Sequence, residues 1–281
     1  MIVVKKTNLF DRSYRGSRRG LSLIELLSAM LVMSMVIGTL AAMSNAVHVS
    51  TEYSRGHTTA AQHARVAIER IQRAVRTAYA TADYPGVGVI EDAVGVWGFP
   101  DTAVIWRPRV TPTTPAAKPF HADGPPRMNE LVIFCPDPGE PHKLIELTAA
   151  DGDTRELNMA TLVTDVEALK ISNTSKKVVL TDLLRTASVG SDPSTNLRGA
   201  VRFNLRISPS ATAWADYKAG TTAWQDLPWV QGVHGSKTGL RQTWLRFELQ
   251  LVPGEATVSD AGALRTTPYF GSAALYYELN Q

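Results

Sequence analysis

An uninterrupted apolar run near the N-terminus is the strongest feature of the hydrophobic pattern. Residues 21–43 read LSLIELLSAMLVMSMVIGTLAAM and include one charged side chain, Glu25. As a helix, these 23 residues would be about 34 Å long at about 1.5 Å per residue, enough to cross a bilayer core of about 30 Å. The pattern therefore predicts a single membrane-spanning helix.

Helical spacing continues beyond this run to about Tyr79. Apolar side chains recur every three or four positions on one side of the predicted helix, and charged side chains lie away from them. The apolar stripe consists of Ala64, Ile68, Ile71, Val75 and Ala78. We expect the first half of the helix to pack in a membrane or filament and the second half to pack on the head of the protein. Pro85 and Gly86 are expected to end the helix.

Beyond Pro85 the period changes to two, which is typical of strands. Apolar and polar side chains alternate strictly over residues 201–207 and 245–251, so each segment predicts an antiparallel strand with one wet face. Further strand candidates are residues 103–107, 130–135, 144–148, 166–171 and 274–279. Residues 109–127 and much of 208–239 are predicted loops. The predicted fold is α+β, with the long N-terminal helix packed on an antiparallel β-sheet head domain.

Charge divides the chain at about residue 20. Six of the 29 Lys and Arg side chains lie in the first 20 residues, but only one of the 26 acidic side chains does, Asp11. No Lys or Arg then occurs before Arg55. By the positive-inside rule, the basic leader stays in the cytoplasm and the remainder of the chain is exported.

The remainder of the chain has mixed charge and one cysteine. Without the leader it holds 23 basic and 25 acidic side chains, a net charge of about −2. Phosphate binding requires a concentrated basic face, so we expect no nucleic-acid-binding body, although a small local patch is compatible with this composition. Cys135 is alone, which excludes an intramolecular disulfide, and it is predicted to be a buried structural thiol.

Two general interpretations of the N-terminal segment explain only part of it. A secretory signal peptide has an apolar core of about 7 to 15 residues, which is shorter than this run, although residues 39–41 form a weak cleavage site. An uncleaved membrane anchor explains the length and the orientation. It gives no reason to place Glu25 in the apolar run, where a carboxylate is energetically costly and points to a function.

Residues 20–25, GLSLIE, resemble the processing motif of type IV prepilins. That motif has a Gly, an apolar residue, Ser or Thr, Leu, an aliphatic residue and Glu, and Leu21 stands where Phe is commoner. The resemblance implies that a membrane aspartyl peptidase cuts after Gly20 and methylates the new amino group of Leu21. Residues 63–73 also look like the corresponding helix of larger minor pilins and of the J-type pseudopilins of type II secretion.

Glu25 has a physical role in this interpretation. After cleavage, Leu21 carries a free ammonium group, and the Glu25 carboxylate of one subunit can pair with the ammonium of another. Misregister would leave a buried charge unpaired, so the pair would set the register of assembly. Ser22 and Glu25 also fit the capping box S-x-x-E at a helix N-terminus, and the two interpretations are compatible.

The sequence offers little else that carries chemistry. It lacks H-E-x-x-H, P-loop, Rossmann and G-x-S-x-G motifs, so we expect no enzyme activity, no cofactor, no metal and no small-molecule substrate. Prolines hold open the loop CPDPGEPH (135–142), so we do not expect its Cys, acidic and His side chains to gather around a metal ion. A second acidic group, Asp151, Asp153 and Glu156, lacks the remaining residues of a known calcium-binding loop. Trp214, Trp224 and Trp229 are left with two interpretations, a partner or carbohydrate surface or a local core.

The sequence thus predicts a leader (1–20), a membrane and amphipathic helix (21–84) and a β-rich head (85–281). The predicted function is that of a minor pilin or pseudopilin in the cytoplasmic (inner) membrane, with the head exported into a periplasmic or surface filament. The implied partners are a prepilin peptidase, other pilin-like subunits and an inner-membrane assembly platform. The alternative is an exported binding or enzymatic domain that is tethered by a single uncleaved helix.

Overall fold

The computed structural model describes residues 22–94, 96–108, 125–189, 197–253 and 266–281. The chain divides into two compact units, residues 1–52 and residues 53–281, and helix α1 (Leu23–Arg76) contributes to both. Gly20, Leu21 and most of the predicted loop 109–127 lie outside the described residues.

The first unit consists of the apolar half of α1. Its described residues, 22–52, are all exposed, including the large apolar side chains. The helix is continuous through Gly38. It is the one helix in the described residues that is long and apolar enough to span a membrane, which confirms the predicted length and character of this segment.

The second unit joins the distal half of α1 to strands and two further helices. The strands are β1 (Val87–Val94), β2 (Trp97–Trp106), β3 (Leu131–Pro136), β4 (Leu144–Thr148), β5 (Lys176–Thr181), β6 (Thr186–Ser188), β7 (Leu197–Gly199), β8 (Val201–Ser208), β9 (Thr238–Leu251) and β10 (Thr267–Asn280). The helices are α2 (Leu162–Ile171) and α3 (Ala211–Lys218). This arrangement confirms the α+β fold class.

The described strands form antiparallel sheets. A five-stranded sheet has the order β1-β2-β3-β4-β5, and a three-stranded sheet has the order β10-β9-β8. Strands β6 and β7 pair with each other. The five-stranded sheet therefore follows the order of the chain, because each of its strands pairs with the next one in sequence.

The main core lies between the distal half of α1 and one face of each large sheet. Ala60, Ala64, Ala67 and Ile71 are fully buried on the helix, and their small side chains let the helix approach the strands closely. The strand residues buried with them include Val87, Ala103, Ile105, Phe134, Phe203, Leu245, Phe247, Leu249 and Ala273. The predicted stripe of the amphipathic half is therefore the face of α1 that meets the head.

Further apolar clusters surround this core. Helix α2 covers a second set of strand residues from β1 to β4, among them Ile133, Cys135, Ile145 and Leu147. Strands β3 and β4 and the second half of β2 are thus buried on two faces, which explains their continuous apolar runs. A third cluster gathers the tryptophans near α3.

Most strand predictions are confirmed, and one is wrong. Residues 201–207 and 245–251 lie in β8 and β9, and residues 274–279 lie in β10. Residues 166–171, predicted as a strand, belong to α2. Leu162, Val166 and Leu169 are buried at helical spacing, and a segment of six residues was too short to distinguish the two periods.

Helix α1 ends at Arg76, before the end expected near Tyr79 and Pro85. Beyond Arg76 the backbone turns toward the sheet, because the N–H of Tyr79 donates to the carbonyl of Trp106 at 2.9 Å. Pairing with the sheet at the end of β2 therefore stops the helix earlier than the first Pro and Gly in the sequence do.

Candidate assembly site

Glu25 lies in the first turn of α1 and caps the helix. The backbone N–H of Ser22 donates to Glu25 Oε2 at 2.9 Å, and Ser22 Oγ donates to the same oxygen at 3.0 Å. In return, the N–H of Glu25 donates to Ser22 Oγ at 3.3 Å. The predicted capping box is therefore formed, and it fixes the carboxylate beside the N-terminal end of the helix.

The second carboxylate oxygen remains available. Glu25 Oε1 makes no hydrogen bond to a described residue, since each bond to the carboxylate uses Oε2. A carboxylate can accept several hydrogen bonds, so capping leaves room for a second donor.

The hydroxyl groups of the apolar half bond within the helix. Ser28 donates to the carbonyl of Glu25 at 3.0 Å, Ser34 to that of Leu31 at 2.8 Å, and Thr39 to that of Val36 at 2.9 Å. Each hydroxyl is therefore satisfied three residues back and needs no water. Glu25 is the one side chain between Leu23 and Met43 that carries a charge into this apolar surface.

The two processing residues cannot be placed. Gly20 and Leu21 lie outside the described residues, which begin at Ser22. Cleavage after Gly20 and the role of the Leu21 amino group remain predictions from the sequence.

The acidic group of the head is held by its own ion pairs. Asp151 meets Lys176 at 2.7 Å, and Asp153 forms a two-bond pair with Arg155 at 2.8 Å each. This Arg155 contact lowers the pKa of Asp153. In the described part of the chain, no three His, Cys, Asp or Glu side chains are arranged to hold a metal ion.

The segment CPDPGEPH comprises the end of β3 and most of the short loop 137–143 that connects β3 to β4. The N–H of Asp137 donates to the carbonyl of Lys143 at 2.9 Å, and Asp137 Oδ1 accepts from the N–H of Gly139 at 2.9 Å. Cys135 is fully buried on β3, and this burial raises the pKa of its thiol to about 12. The Cys135 side chain therefore belongs to the core, away from the polar groups of the loop.

The tryptophans form a local core. Trp214, Trp224 and Trp229 are buried, and the indole N–H of Trp229 donates to the carbonyl of Trp224 at 2.9 Å. Buried Arg241 lies over the Trp214 ring and donates from Nε to the carbonyl of Pro209 at 3.0 Å. Of the two interpretations that the sequence left open, the structure shows the local core.

Sequence reasoning did not find a polar cleft whose charged side chains come from distant segments. Arg198 contacts Asp92 and also Asp101, at 3.5 Å, and Lys170 lies 2.6 Å from Glu167. Burial raises the pKa of Asp101, which is opposed by a hydrogen bond from Thr102. These side chains come from strands β1, β2 and β7 and helix α2, so no local motif could have indicated them.

The chain matches no family model, no curated protein and no solved structure.

Proposed function

We propose that this protein is a structural subunit of a pilus-like filament, a minor pilin or J-type pseudopilin of a type IV pilus or type II secretion system. It is processed after Gly20, methylated on Leu21 and inserted in the cytoplasmic membrane with its head exported. The observation that carries the proposal is the apolar half of α1, which exposes its whole surface and places one carboxylate, Glu25, in the first turn.

The exposed apolar surface requires a partner or a membrane. Side chains such as Leu23 and Ile24 are 78% and 77% exposed, and exposure persists along the apolar run. A large exposed apolar surface is unfavourable in water and marks a membrane or interaction surface. A bilayer satisfies it before assembly, and the helices of neighbouring subunits satisfy it afterwards.

The Glu25 carboxylate supports assembly rather than plain anchoring. In a plain anchor Glu25 would act only as a helix cap, and burying an unpaired carboxylate in an apolar segment is strongly unfavourable. Glu25 Oε1 makes no hydrogen bond to a described residue, so it can accept from the Leu21 ammonium of a neighbouring subunit while Oε2 keeps its capping bonds with Ser22. Each charge then compensates the burial of the other, and the pairing sets the register.

The size of the head favours an accessory position. Residues 53–281 form one compact unit. The chain is larger than a typical major pilin, and a head of this size would crowd a filament lattice if it were the repeating subunit. A position at the tip, or a role in initiating the filament, avoids this crowding. The partners are a prepilin peptidase, other pilin-like subunits and an inner-membrane assembly platform.

The mature N-terminus tests the proposal. The chain is co-expressed with a prepilin peptidase, extracted from membranes and analysed by intact-mass and N-terminal peptide mass spectrometry. We expect a chain that starts at Leu21 with one added methyl group. The variant Gly20→Leu should stay uncleaved, whereas the matched leader variant Gly16→Leu should be processed normally.

Two results would overturn the proposal. An intact N-terminus in the presence of active peptidase would favour the tethered binding or enzymatic domain. A chain that begins after Ala41 would identify a secretory signal peptide.

A further inference from the structure

The three-stranded sheet has one face on which no described helix or sheet packs. Its other face packs on α1 through residues such as Phe247 and Ala273. The open face carries six large side chains that we call the arginine face: Arg202 and Arg206 on β8, Trp244 and Arg246 on β9, and Phe270 and Tyr276 on β10. Of these, Trp244 is half-buried and the other five are exposed.

Strand register arranges the arginines in successive rows. Arg202 is opposite Glu248, Asn204 is opposite Arg246, and Arg206 is opposite Trp244. Rows on one face are two residues apart, which is roughly 7 Å. The three guanidinium groups therefore alternate across the β8–β9 seam, with one in each of three consecutive rows.

A fourth arginine extends this line. Arg185 donates from Nη1 to the side chain of Gln250 at 3.2 Å, and Gln250 lies on the open face in the row before Glu248. The four rows therefore hold four arginines, with Glu248 in the row of Arg202, and the side chain of Arg185 is already engaged. The regular repeat of this arginine stripe is comparable to the length of one nucleotide in an extended single strand.

The guanidinium groups of the arginine face are available. Arg202, Arg206 and Arg246 form no ion pair with a residue that the structure describes. Arg246 lies over the Phe270 ring, 6.0 Å from its centroid. The carboxylate in these rows, Glu248, accepts a hydrogen bond from Gln250 at 2.9 Å. Exposed arginines that have no ion-pair partner among the described residues can bind phosphate, because the guanidinium fork matches the geometry of phosphate oxygens.

Aromatic rings lie beside the arginine stripe. On β10, Phe270 is 57% exposed and Tyr276 is 53% exposed, and Trp244 lies on the central strand β9, opposite Arg206 of β8. Exposed rings on a flat sheet are platforms on which bases can stack, whatever their sequence. A duplex shields the faces of its bases and cannot use these rings.

We propose that the arginine face binds single-stranded nucleic acid, with phosphates along the β8–β9 seam and bases stacked on Phe270, Trp244 and Tyr276. The average charge of the chain predicted no such partner. The net charge of the whole chain does not reveal these arginines, because the register of the strands places them together on one face of the sheet. The inference goes beyond the proposed filament role and does not depend on cleavage or assembly.

Fluorescence anisotropy tests the inference. The full-length chain, in nonionic detergent, is titrated into a fluorescein-labelled oligothymidylate of about 12 nucleotides. Three phosphate contacts predict that the affinity falls roughly 20-fold when salt rises from about 50 to 200 mM. The triple variant Arg202→Gln, Arg206→Gln, Arg246→Gln should abolish most of this salt dependence. Phe270→Ala and Tyr276→Ala should each weaken binding about tenfold with the salt dependence unchanged.

A charge-matched variant is the control. Arg65, Arg73 and Arg76 are exposed on α1, away from the arginine face, and their replacement by Gln changes the net charge equally. This control should bind the oligonucleotide as the parent chain does. Circular dichroism of each variant confirms that the fold is retained.

Three outcomes would overturn the inference. The first is no binding at about 50 mM salt by the folded parent chain. The second is equal loss of affinity in the control and in the arginine-face variant. The third is displacement by poly-L-glutamate at equal charge together with no effect of the aromatic variants, which would identify the face as a site for an acidic protein.

Discussion

The thiol of Cys135 shows how burial sets the chemistry of a single side chain. It lies on β3 beneath α2, and burial raises its pKa to about 12. The thiolate is the nucleophilic form, so a thiol that keeps its proton is inert at neutral pH. The prediction from the sequence that Cys135 is a buried structural thiol is confirmed.

At pH 8, Cys135 in the native chain should react with a disulfide reagent at least about a hundredfold more slowly than in the unfolded chain. The reason is that the buried thiol keeps its proton and the reagent reaches it only when the surrounding structure opens. The measurement is the rate of thiol titration with and without denaturant, with Cys135→Ser as the blank. Fast labelling of the native chain would contradict the burial.

The same shift makes stability depend on pH. The folded chain holds the Cys135 proton more tightly than the unfolded chain does. The contribution of the protonated thiol to the free energy of unfolding is therefore fully present below pH 9.0, and it is lost as the pH rises toward about 12. Urea unfolding from pH 8 to 11 should therefore show a smaller loss of stability in Cys135→Ser than in the parent chain. Equal pH profiles would contradict the shift.

The sequence did not indicate which polar side chains pair with each other across distant elements. Arg70 on α1 donates from Nη2 to Oε1 of Glu146 on β4 at 3.0 Å, and Glu146 is 6% exposed. The two residues are separated by 76 positions. Periodicity identifies which side of an element is buried, but it does not indicate which distant side chain neutralises a buried charge.

At the scale of the elements, α1 packs against β10 at a position that is occupied by a glycine. Gly271 lies on β10 against Phe247 and beneath α1, where an added Cβ would meet the Phe247 ring and approach Ile68 Cγ2 at 3.1 Å. The glycine is therefore required for close packing of helix and sheet.

Gly271→Ala should lower the free energy of unfolding by about 1 to 3 kcal/mol, the usual effect of overpacking a core. Gly88→Ala is the matched control on β1, because an added Cβ there would meet nothing within 4 Å. Urea unfolding of both variants in the same detergent measures the difference. An unchanged midpoint for Gly271→Ala would contradict the packing.

The elements that were predicted share long, regular patterns. β8 and β9 alternate along their length, and α1 combines an apolar run with an apolar stripe. The elements that were missed lack such patterns. β5 is exposed on both faces from Lys176 to Val179, and β6 and β7 have three residues each. Their pairing comes from neighbours rather than from their own periodicity.

For the whole molecule, the sequence predicted the fold class and one candidate site, and the structure describes part of that site. Glu25 has its capping partner, and Gly20 and Leu21 lie beyond the described residues. The sequence also indicated that the arginines of the arginine face are exposed, since they occupy the solvent-exposed positions of two predicted strands. Only the register shows that they form one line.

Glu25→Ala should be processed after Gly20 yet fail to enter filaments, because the register charge is lost while the cut site is intact. The measurement is an immunoblot of the sheared filament fraction against the membrane fraction of the producing cells. Ser28→Ala is the matched control, since it removes a hydroxyl that is bonded to the carbonyl of Glu25 and keeps both the carboxylate and the motif of residues 20–25. Normal incorporation of Glu25→Ala, or equal failure of Ser28→Ala, would contradict the registry role.

The order of strands along the chain also sets an order of folding. Each strand of the five-stranded sheet can pair with its predecessor as it is synthesised, which is fast because the contacts are local. The part of the stripe on α1 that packs on β9 and β10 must wait much longer, since the contact of α1 with β10 joins Gln72 to the carbonyl of Ser272, 200 positions later. A nascent chain that stalls before β9 therefore leaves that part of the apolar stripe uncovered, and exposed apolar surface of this kind is what chaperones bind.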